Sequence, residues 1–247
     1  GDYALFAGGD NGSTYYATVD AYDTSLTRST PAALSQTRNL LSGTSVGDYA
    51  LFAGGENGST YYATVDAYDT SLTRSTPTAL SQARRQLAGA SVGDYALFAG
   101  GDNGSTYYAT VDAYDTSLTR STPTALSQAR SVLAGASAGD YALFAGGYTV
   151  AASADATVDA YNTSLTRSTP TALLQYRFIL AGSVAGDYAL FAGGMDGSTY
   201  YATVDAYTTF VSTTYLPITA GSKYKLNSDT ETTATTNKVV KVSVPIT

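Results

Sequence analysis

The sequence predicts an all-β fold built from a tandem repeat, and three observations carry this prediction. The nine residues Gly-Asp-Tyr-Ala-Leu-Phe-Ala-Gly-Gly occur five times, starting at Gly1, Gly47, Gly93, Gly139 and Gly186. Each copy is a short alternating run that ends in a Gly-Gly pair, which is typical of a strand followed by a turn. Thr, Ser, Tyr and Gly are frequent, and the helix-favouring residues Glu, Lys, Gln and Met are few. A period of 46 or 47 residues indicates a repeat architecture whose neighbouring units share their core.

One repeat divides into four short predicted strands joined by polar turns. In the copy from Arg84 to Leu126 these are strand a (86–92), strand b (94–99), strand c (108–114) and strand d (within 118–126). Tyr95, Leu97 and Ala99 face one side of strand b, and Ala96 and Phe98 face the other. Both faces are apolar, so we expect strand b to be buried on both sides. Pro123 predicts that strand d lies at an edge of its sheet.

A lone four-stranded sheet with two apolar faces cannot bury itself. Sheets stacked radially around an axis bury every inner face, and this arrangement is a β-propeller. We therefore expect a propeller of about five four-stranded blades over residues 1–207, with the small residues of strand a at the axis and strand d at the rim. Because Gly1 falls in the middle of a repeat, we expect the chain to be a fragment or a processed piece.

The charge changes near residue 208. Residues 1–207 contain 18 acidic residues and nine Arg, whereas residues 208–247 contain two acidic residues and four Lys. We expect residues 208–216 to form the outer strand of the last blade. Residues 222–226 and 238–244 are expected to form a hairpin or small separate β module, and closure of the ring by 238–246 is the alternative.

Three elements of the repeat together resemble kelch repeats. These are the Gly100-Gly101 doublet after a hydrophobic strand, the Val-Asp-Ala-Tyr-Asp stretch from Val111 to Asp115, and Arg84 before the inner strand. The resemblance covers residues 1–207 and implies a propeller that binds partners through one loop face. A kelch unit normally has a Trp after the Tyr, but this chain has no Trp, so Leu118 or a neighbour is expected to fill that place.

The repeats are nearly identical, so the positions that differ between copies are informative. One such place is the residue pair after the repeated Arg, at 39–40, 85–86, 131–132 and 178–179; the other is the loop between strands b and c, at 10–12, 56–58, 148–155 and 195–197. In an up-and-down blade both places emerge on the same face. Variation confined to one face of a constant scaffold indicates a binding surface, and neutral drift in loops is the alternative.

Candidate ligand-binding residues on or near this face are of two kinds, Arg and aromatic. They are Arg38, Arg84, Arg85, Arg130, Arg177, Tyr16, Tyr62, Tyr108, Tyr148 and Phe178. The arginines suit a carboxylate or an acidic glycan, or alternatively tie blades together through loop carbonyls or an Asp. Exposed Tyr rings suit sugar rings or protein partners, or alternatively pack between blades.

The composition excludes several functions. The chain has no His and no Cys, which removes Ser-His-Asp and Cys-His catalysis and most zinc and copper sites. The acidic residues are repeated symmetrically, whereas a single active site breaks symmetry. A net charge of −7 disfavours nucleic acid, and no apolar run approaches the length of a membrane span. We expect no enzyme activity, no cofactor and no metal site.

The sequence thus favours a binding module in an extracellular, cell-surface or virion setting, for a glycan or a surface protein. The alternative is a structural repeat domain of a larger surface or phage tail-fibre assembly. A propeller glycosidase is a minor alternative, because such an enzyme needs two carboxylates at one site.

Overall fold

The structure is a computed structural model that describes residues 2–151 and 153–208, and the strand residues 212–218, 223–224, 232–233 and 238–244. The chain divides into two compact units, Gly1–Thr208 and Thr209–Thr247. The residues described form strands and turns without a helix. Among them, accordingly, no helix is long and apolar enough to cross a membrane.

The first unit is a five-bladed β-propeller, as predicted, and each blade is a small antiparallel sheet. The first blade contains β1 (Tyr3–Ala7), β2 (Val19–Asp23) and β3 (Arg28–Ser29). The second contains β4 (Ser42–Val46), β5 (Tyr49–Ala53), β6 (Val65–Tyr68) and β7 (Arg74–Ser75). The third contains β8 (Ala88–Val92), β9 (Tyr95–Ala99), β10 (Val111–Asp115) and β11 (Arg120–Ser121).

The fourth and fifth blades follow the same plan. The fourth contains β13 (Ala134–Ala138), β14 (Tyr141–Ala145), β16 (Val158–Asn162) and β17 (Arg167–Ser168), with the short pair β12 (Arg130–Ser131) and β15 (Tyr148–Thr149) in its loops. The fifth contains β18 (Ala181–Ala185), β19 (Tyr188–Ala192) and β20 (Val204–Thr208). Strand d is much shorter than the predicted window, since in the third blade only Arg120 and Ser121 pair with β10 before Pro123.

Alternation along strand b buries its two faces against two different blades. In the third blade, Leu97 and Ala99 pack in the cluster shared with the fourth blade. Ala96 and Phe98 pack in the cluster shared with the second blade. The sequence predicted this division of side chains, and it explains why both faces of the strand are apolar.

Glycines hold the inner strands in close contact around the axis. Strands β4, β8, β13 and β18 pack side by side. A Cβ added at Gly135 would lie 2.3 Å from the carbonyl oxygen of Gly89, and one at Gly182 would lie 2.2 Å from that of Gly135. No side chain fits at such distances, so the spacing of the blades at the axis depends on these glycines.

The two ends of the blade array are more exposed than its middle. Phe6 of the first blade is 64% exposed, whereas its counterparts Phe98 and Phe144 are 0% exposed. All five residues of β18 are exposed, whereas β8 alternates between buried and half-buried positions. The first and last sheets have three strands each among the residues described.

The second unit pairs its strands differently from the prediction. Strand β21 (Ser212–Ile218) is antiparallel to β24 (Lys238–Val244) over seven residue pairs, and β22 (Lys223–Tyr224) pairs with β23 (Thr232–Thr233). The small separate β module expected for the tail agrees with the division of the chain into two units, but 238–244 pairs with 212–218 and not with 222–226. Residues 212–216, expected in the outer strand of the last blade, therefore belong to the ladder with β24. A seven-residue ladder offers more backbone hydrogen bonds than the two-residue outer strand of a blade. Residues 225–226 and 245–246 lie outside the described residues.

Candidate functional site

The four repeated arginines lie inside the propeller. The side chain of Arg38 is 0% exposed. Its Nη1 donates to the carbonyls of Gly54 and Thr64 at 2.7 and 2.8 Å. Its Nη2 donates to the carbonyl of Phe52 at 3.1 Å and to Asp66 Oδ2 at 2.7 Å. Burial lowers the pKa of Arg38, and the charge of Asp66 opposes this shift.

Each of these arginines couples its own blade to the next. The backbone N–H of Arg38 donates to the carbonyl of Tyr16 in the first blade, while its guanidinium group is in the second. The equivalent pairs are Arg84–Asp112 at 3.0 Å, Arg130–Asp159 at 2.8 Å, and Arg177–Asp205. A ligand could contact these four groups only if a blade interface opened. Their placement agrees with the alternative that the repeated arginines tie neighbouring blades together through carbonyl groups and an Asp.

The second Tyr of each Tyr-Tyr pair braces its own loop. The hydroxyls of Tyr16, Tyr62 and Tyr108 accept hydrogen bonds from the Nδ2 atoms of Asn11, Asn57 and Asn103, respectively, at 2.9, 2.7 and 2.8 Å. In the fifth blade the hydroxyl of Tyr201 donates to Asp196, which holds the pKa of that carboxyl well below its usual range. These tyrosines keep the b–c loops in one conformation.

In the first two blades, the first Tyr of the pair lies across the loop of the next blade. A Cβ at Gly58 would lie 2.6 Å from the hydroxyl of Tyr15, and one at Gly104 would lie 2.2 Å from that of Tyr61. The Asn-Gly turns thus leave space for a tyrosine from the neighbouring blade. The sequence analysis left undecided whether these tyrosines pack between blades or face a ligand, because the answer depends on the distance between blades.

The structure brings the two variable places of the repeat into direct contact. The residue after each repeated Arg pairs with the b–c loop of the next blade, as Asn39–Glu56, Arg85–Asp102, Ser131–Tyr148 and Phe178–Met195. We call this surface the loop face; it comprises the residue pairs 39–40, 85–86, 131–132 and 178–179 and the b–c loops. Its variable side chains form one continuous row across the blades.

A hydrogen-bonded backbone arc supports this row. The N–H of Gln86 donates to the carbonyl of Leu40, that of Val132 to Gln86, and that of Ile179 to Val132, at 2.9, 2.9 and 3.2 Å. All four residues have φ between +50° and +56°, a conformation that L side chains seldom adopt. Sequence patterns do not indicate this conformation, because none of the four residues is Gly or Asn. The side chains therefore vary on a backbone that stays fixed.

The first half of the row, which we call the charged sector, comprises Asp10, Asn39, Glu56, Arg85 and Asp102, and its arginine is held by two carboxylates. Arg85 lies 2.8 Å from Glu56 and 3.2 Å from Asp102, and its guanidinium carbon is 5.3 Å from the centre of the Tyr61 ring. Burial acts to lower the pKa of Arg85, but the hydrogen bond to Glu56 and the charge of Asp102 outweigh it and raise the pKa. Asn39 Nδ2 donates to Asp10 at 2.6 Å.

The second half of the row, which we call the aromatic sector, holds Tyr107, Tyr148, Phe178 and Met195. The ring centres of Tyr107 and Tyr148 are 6.3 Å apart, and those of Tyr148 and Phe178 are 5.1 Å apart at 70°. All four side chains are half-buried, and Ile179 beside them is 62% exposed. The candidate ligand-binding residues from the sequence include Tyr148 and Phe178 but not Tyr107 or Met195, although 195–197 was recognised as a variable loop. The contact between neighbouring blades brings all four together.

Two comparisons with known proteins found nothing, and a third found a similar fold. No family model and no curated protein matches the chain. The solved structure titled "Structure of YjhT" is similar, with a TM-score of 0.68 and 12% sequence identity over 85% of this chain and 79% of that chain. At this identity the likeness concerns the fold alone.

Proposed function

We propose that this chain is a non-catalytic binding module that recognises a glycan through the aromatic sector of the loop face. The observation that carries the proposal is the break in symmetry on this face. Strands, turns and buried arginines repeat from blade to blade, but the rings of Tyr148 and Phe178 occur in one place only. A site for one ligand requires such a break, whereas a scaffold does not.

The chemistry of the two sectors favours an uncharged sugar. The arginines of the described loop face are engaged, since Arg85 pairs with Glu56 and Asp102 and the repeated arginines are buried. An acidic glycan would find no free cation there. Ring planes such as those of Tyr107 and Tyr148 offer the apolar stacking surface that sugar rings use, at low cost in side-chain entropy.

The assignment to the kelch type and to an extracellular, cell-surface or virion setting belongs to the same proposal. The motif residues have structural roles that support the assignment: Gly100 and Gly101 have φ of +67° and +99°, and Arg84 is buried against Asp112. Glycans are displayed outside cells, which supports the setting. No cofactor or metal is part of the proposed site.

The test is a glycan array probed with the 247-residue protein, a Tyr148→Ala/Phe178→Ala variant and a Tyr3→Ala control. Tyr3 is an exposed aromatic residue at the opposite end of its strand from the b–c loop. We expect binding to an uncharged glycan that the double variant weakens about tenfold or more and the control leaves unchanged. Equal binding by the double variant, or no bound glycan at all, would contradict the proposal; the latter result would favour a surface protein.

A second candidate function is a structural repeat in a larger surface or tail-fibre assembly. The exposed side chains at both ends of the blade array favour it, notably Phe6 and Val204. Light scattering of the 247-residue protein at rising concentration distinguishes this function, which predicts growing particles, from the binding module, which predicts a constant mass.

A further inference from the structure

The sequence Asn-Gly-Ser occurs in the b–c loops of the first three blades, and the three loops are built alike. The asparagines are Asn11, Asn57 and Asn103. The Oδ1 atom of each accepts hydrogen bonds from the N–H and hydroxyl of the Ser and from the N–H of the Thr that follows it, at 2.8–3.3 Å. The Nδ2 atom of each donates to the hydroxyl of a Tyr, at 2.7–2.9 Å. The loop thus holds the side-chain amide at both of its polar atoms.

These contacts surround the atoms that react when an Asn-Gly pair releases ammonia. In that reaction the backbone nitrogen of the Gly attacks Cγ of the Asn, and the missing side chain of Gly permits the close approach. Three donors at Oδ1 stabilise the negative charge that this oxygen gains in the tetrahedral intermediate. The Tyr hydroxyl adjoins Nδ2, the atom that leaves, and can relay a proton to it. The loop therefore contains groups that assist the reaction.

One hydrogen bond distinguishes the loop of the second blade from the loop of the third. In the third blade the N–H of Gly104 donates to Asp102 Oδ1 at 2.8 Å, and the first blade has the equivalent bond. The second blade has Glu56 at this position, and its longer side chain binds Arg85 at 2.8 Å. The N–H of Gly58 has no hydrogen-bond partner among the residues that the structure describes. The attacking nitrogen is therefore unengaged in the second blade.

The carboxylate of Asp102 opposes the reaction in the third blade. The attacking nitrogen must lose its proton, and a carboxylate that accepts a hydrogen bond from this N–H favours the protonated form. A Tyr of the preceding blade lies over the Gly in both loops, so this contact does not distinguish them. Asn57 and Asn103 are therefore a matched pair whose loops differ at the attacking N–H.

The product of the reaction already has a place in the fold. The fifth blade has Asp196-Gly197 where the first three have Asn-Gly. The Oδ1 atom of Asp196 accepts from the N–H and hydroxyl of Ser198 and from the N–H of Thr199, each at 2.8 Å. Its Oδ2 atom accepts from the hydroxyl of Tyr201 at 2.7 Å. A carboxylate therefore fits this loop with the same partners, and the Tyr hydroxyl then donates where it otherwise accepts.

We propose that Asn57-Gly58 is a self-modification site at which the chain converts an amide of the loop face into a carboxylate. The Gly58 nitrogen bonds to Cγ of Asn57, the Cγ–Nδ2 bond breaks, and Nδ2 leaves as ammonia with the proton of the Gly58 N–H. Gly58 is exposed, so water reaches the succinimide that results. Opening at Cγ leaves an aspartate at position 57, and opening at the backbone carbonyl leaves an isoaspartate. Either product adds one negative charge beside Glu56, outside the aromatic sector.

The test is a peptide map of the folded 247-residue protein after incubation in mildly alkaline water labelled with heavy oxygen. Trypsin releases the two sites on different peptides, 39–74 and 86–120, and uptake of the label marks conversion that occurs during the incubation. We expect Asn57 to convert at least about fivefold faster than Asn103, which is the rate equivalent of one hydrogen bond. In guanidinium chloride the two rates should become equal, because the sequences around the two sites are nearly identical.

Two exchanges of the acidic residue before the Asn test its role. Glu56→Asp supplies the carboxylate that the second blade lacks and should slow conversion at Asn57 to the rate at Asn103. Asp102→Glu should raise the rate at Asn103 to that at Asn57. Circular dichroism and the melting temperature of both variants should stay close to those of the parent, because each variant installs a residue that another blade carries at this position.

Three results would each overturn the proposal. One is equal conversion of Asn57 and Asn103 in the folded protein. Another is an unchanged rate at Asn57 in the Glu56→Asp variant, which would show that the acidic residue does not control the attacking N–H. The third is slower conversion of Asn57 in the folded protein than in guanidinium chloride, which would show that the loop protects the amide.

Discussion

Arg84 and Asp112 form an ion pair of 3.0 Å whose two side chains are 0% exposed, and this pair joins the second blade to the third. The backbone N–H of Arg84 donates to the carbonyl of Tyr62 in the second blade, while its Nη2 donates to the carbonyl of Phe98 in the third. One residue per repeat thus connects each pair of adjacent blades.

Removal of this arginine should destabilise the propeller strongly. The variant Arg84→Ala leaves Asp112 buried without its partner from the second blade, so we expect the free energy of unfolding to fall by about 3–5 kcal/mol. The matched control is Arg28→Ala, whose side chain is 60% exposed and 3.6 Å from Asp20; it should cost less than about 1 kcal/mol. Urea denaturation measures both, and similar small losses in the two variants would contradict the coupling role.

Glycine at the axis should be essential in one blade and dispensable in another. Gly135→Ala forces a methyl group to within 2.3 Å of the Gly89 carbonyl oxygen, and we expect a loss of about 1–3 kcal/mol or more from overpacking. Gly43→Ala contacts the movable ring of Phe52 at 3.1 Å and should cost about 1 kcal/mol or less. Thermal and urea unfolding measure the loss of stability in each variant. Equal losses in the two variants would contradict the close contact between blades at Gly135 and Gly89.

The propeller should lose stability in alkaline solution between pH 10 and 12. Burial, aided by the charge of Asp66, raises the pKa of Tyr68 to about 12 from 10, and burial with Asp205 does the same for Tyr207, also to about 12. The folded state therefore keeps these protons where the unfolded state releases them. The stabilisation is present below pH 10 and is lost as the pH rises toward 12. Urea unfolding at several pH values between 10 and 12 measures this loss. Tyr68→Phe should reduce the slope of the unfolding free energy against pH, and an unchanged slope would contradict the assignment of the loss to Tyr68.

Glycan binding should not depend on the ion pairs of the charged sector. Arg85→Ala removes the cation that pairs with two largely buried carboxylates, Glu56 and Asp102, so we expect about 1–3 kcal/mol of lost stability and unchanged glycan binding. The array and a melting curve test both expectations together. Lost binding in a folded Arg85→Ala protein would move the site from the aromatic to the charged sector.

The repeat made most of the propeller predictable. Alternation along 94–99 predicted that Leu97 and Phe98 lie on opposite faces of the strand, and the structure places them against different blades. The burial of Arg84 was only one of two alternatives, because a residue that is identical in every copy looks the same whether it binds a ligand or an Asp of the next blade. The difference depends on the distance between sheets, which strand patterns do not contain.

The aromatic sector and the second unit were less predictable for related reasons. Tyr107 and Met195 belong to different repeats from Phe178 and Tyr148 in sequence terms, and they meet only because each loop contacts the next blade. In the second unit, the sequence analysis paired 238–244 with 222–226 and assigned 208–216 to the last blade. The observed partner of 238–244 is 212–218, over seven residue pairs.

The most direct test of the central claim is a hydrogen–deuterium exchange footprint of the 247-residue protein with the uncharged glycan that binds best on the array. The binding-face account predicts slower exchange at residues 147–149 and 178–179, and unchanged exchange at the opposite turns 115–118 and 162–165. Protection at those opposite turns, or protection spread evenly over all five b–c loops, would contradict it.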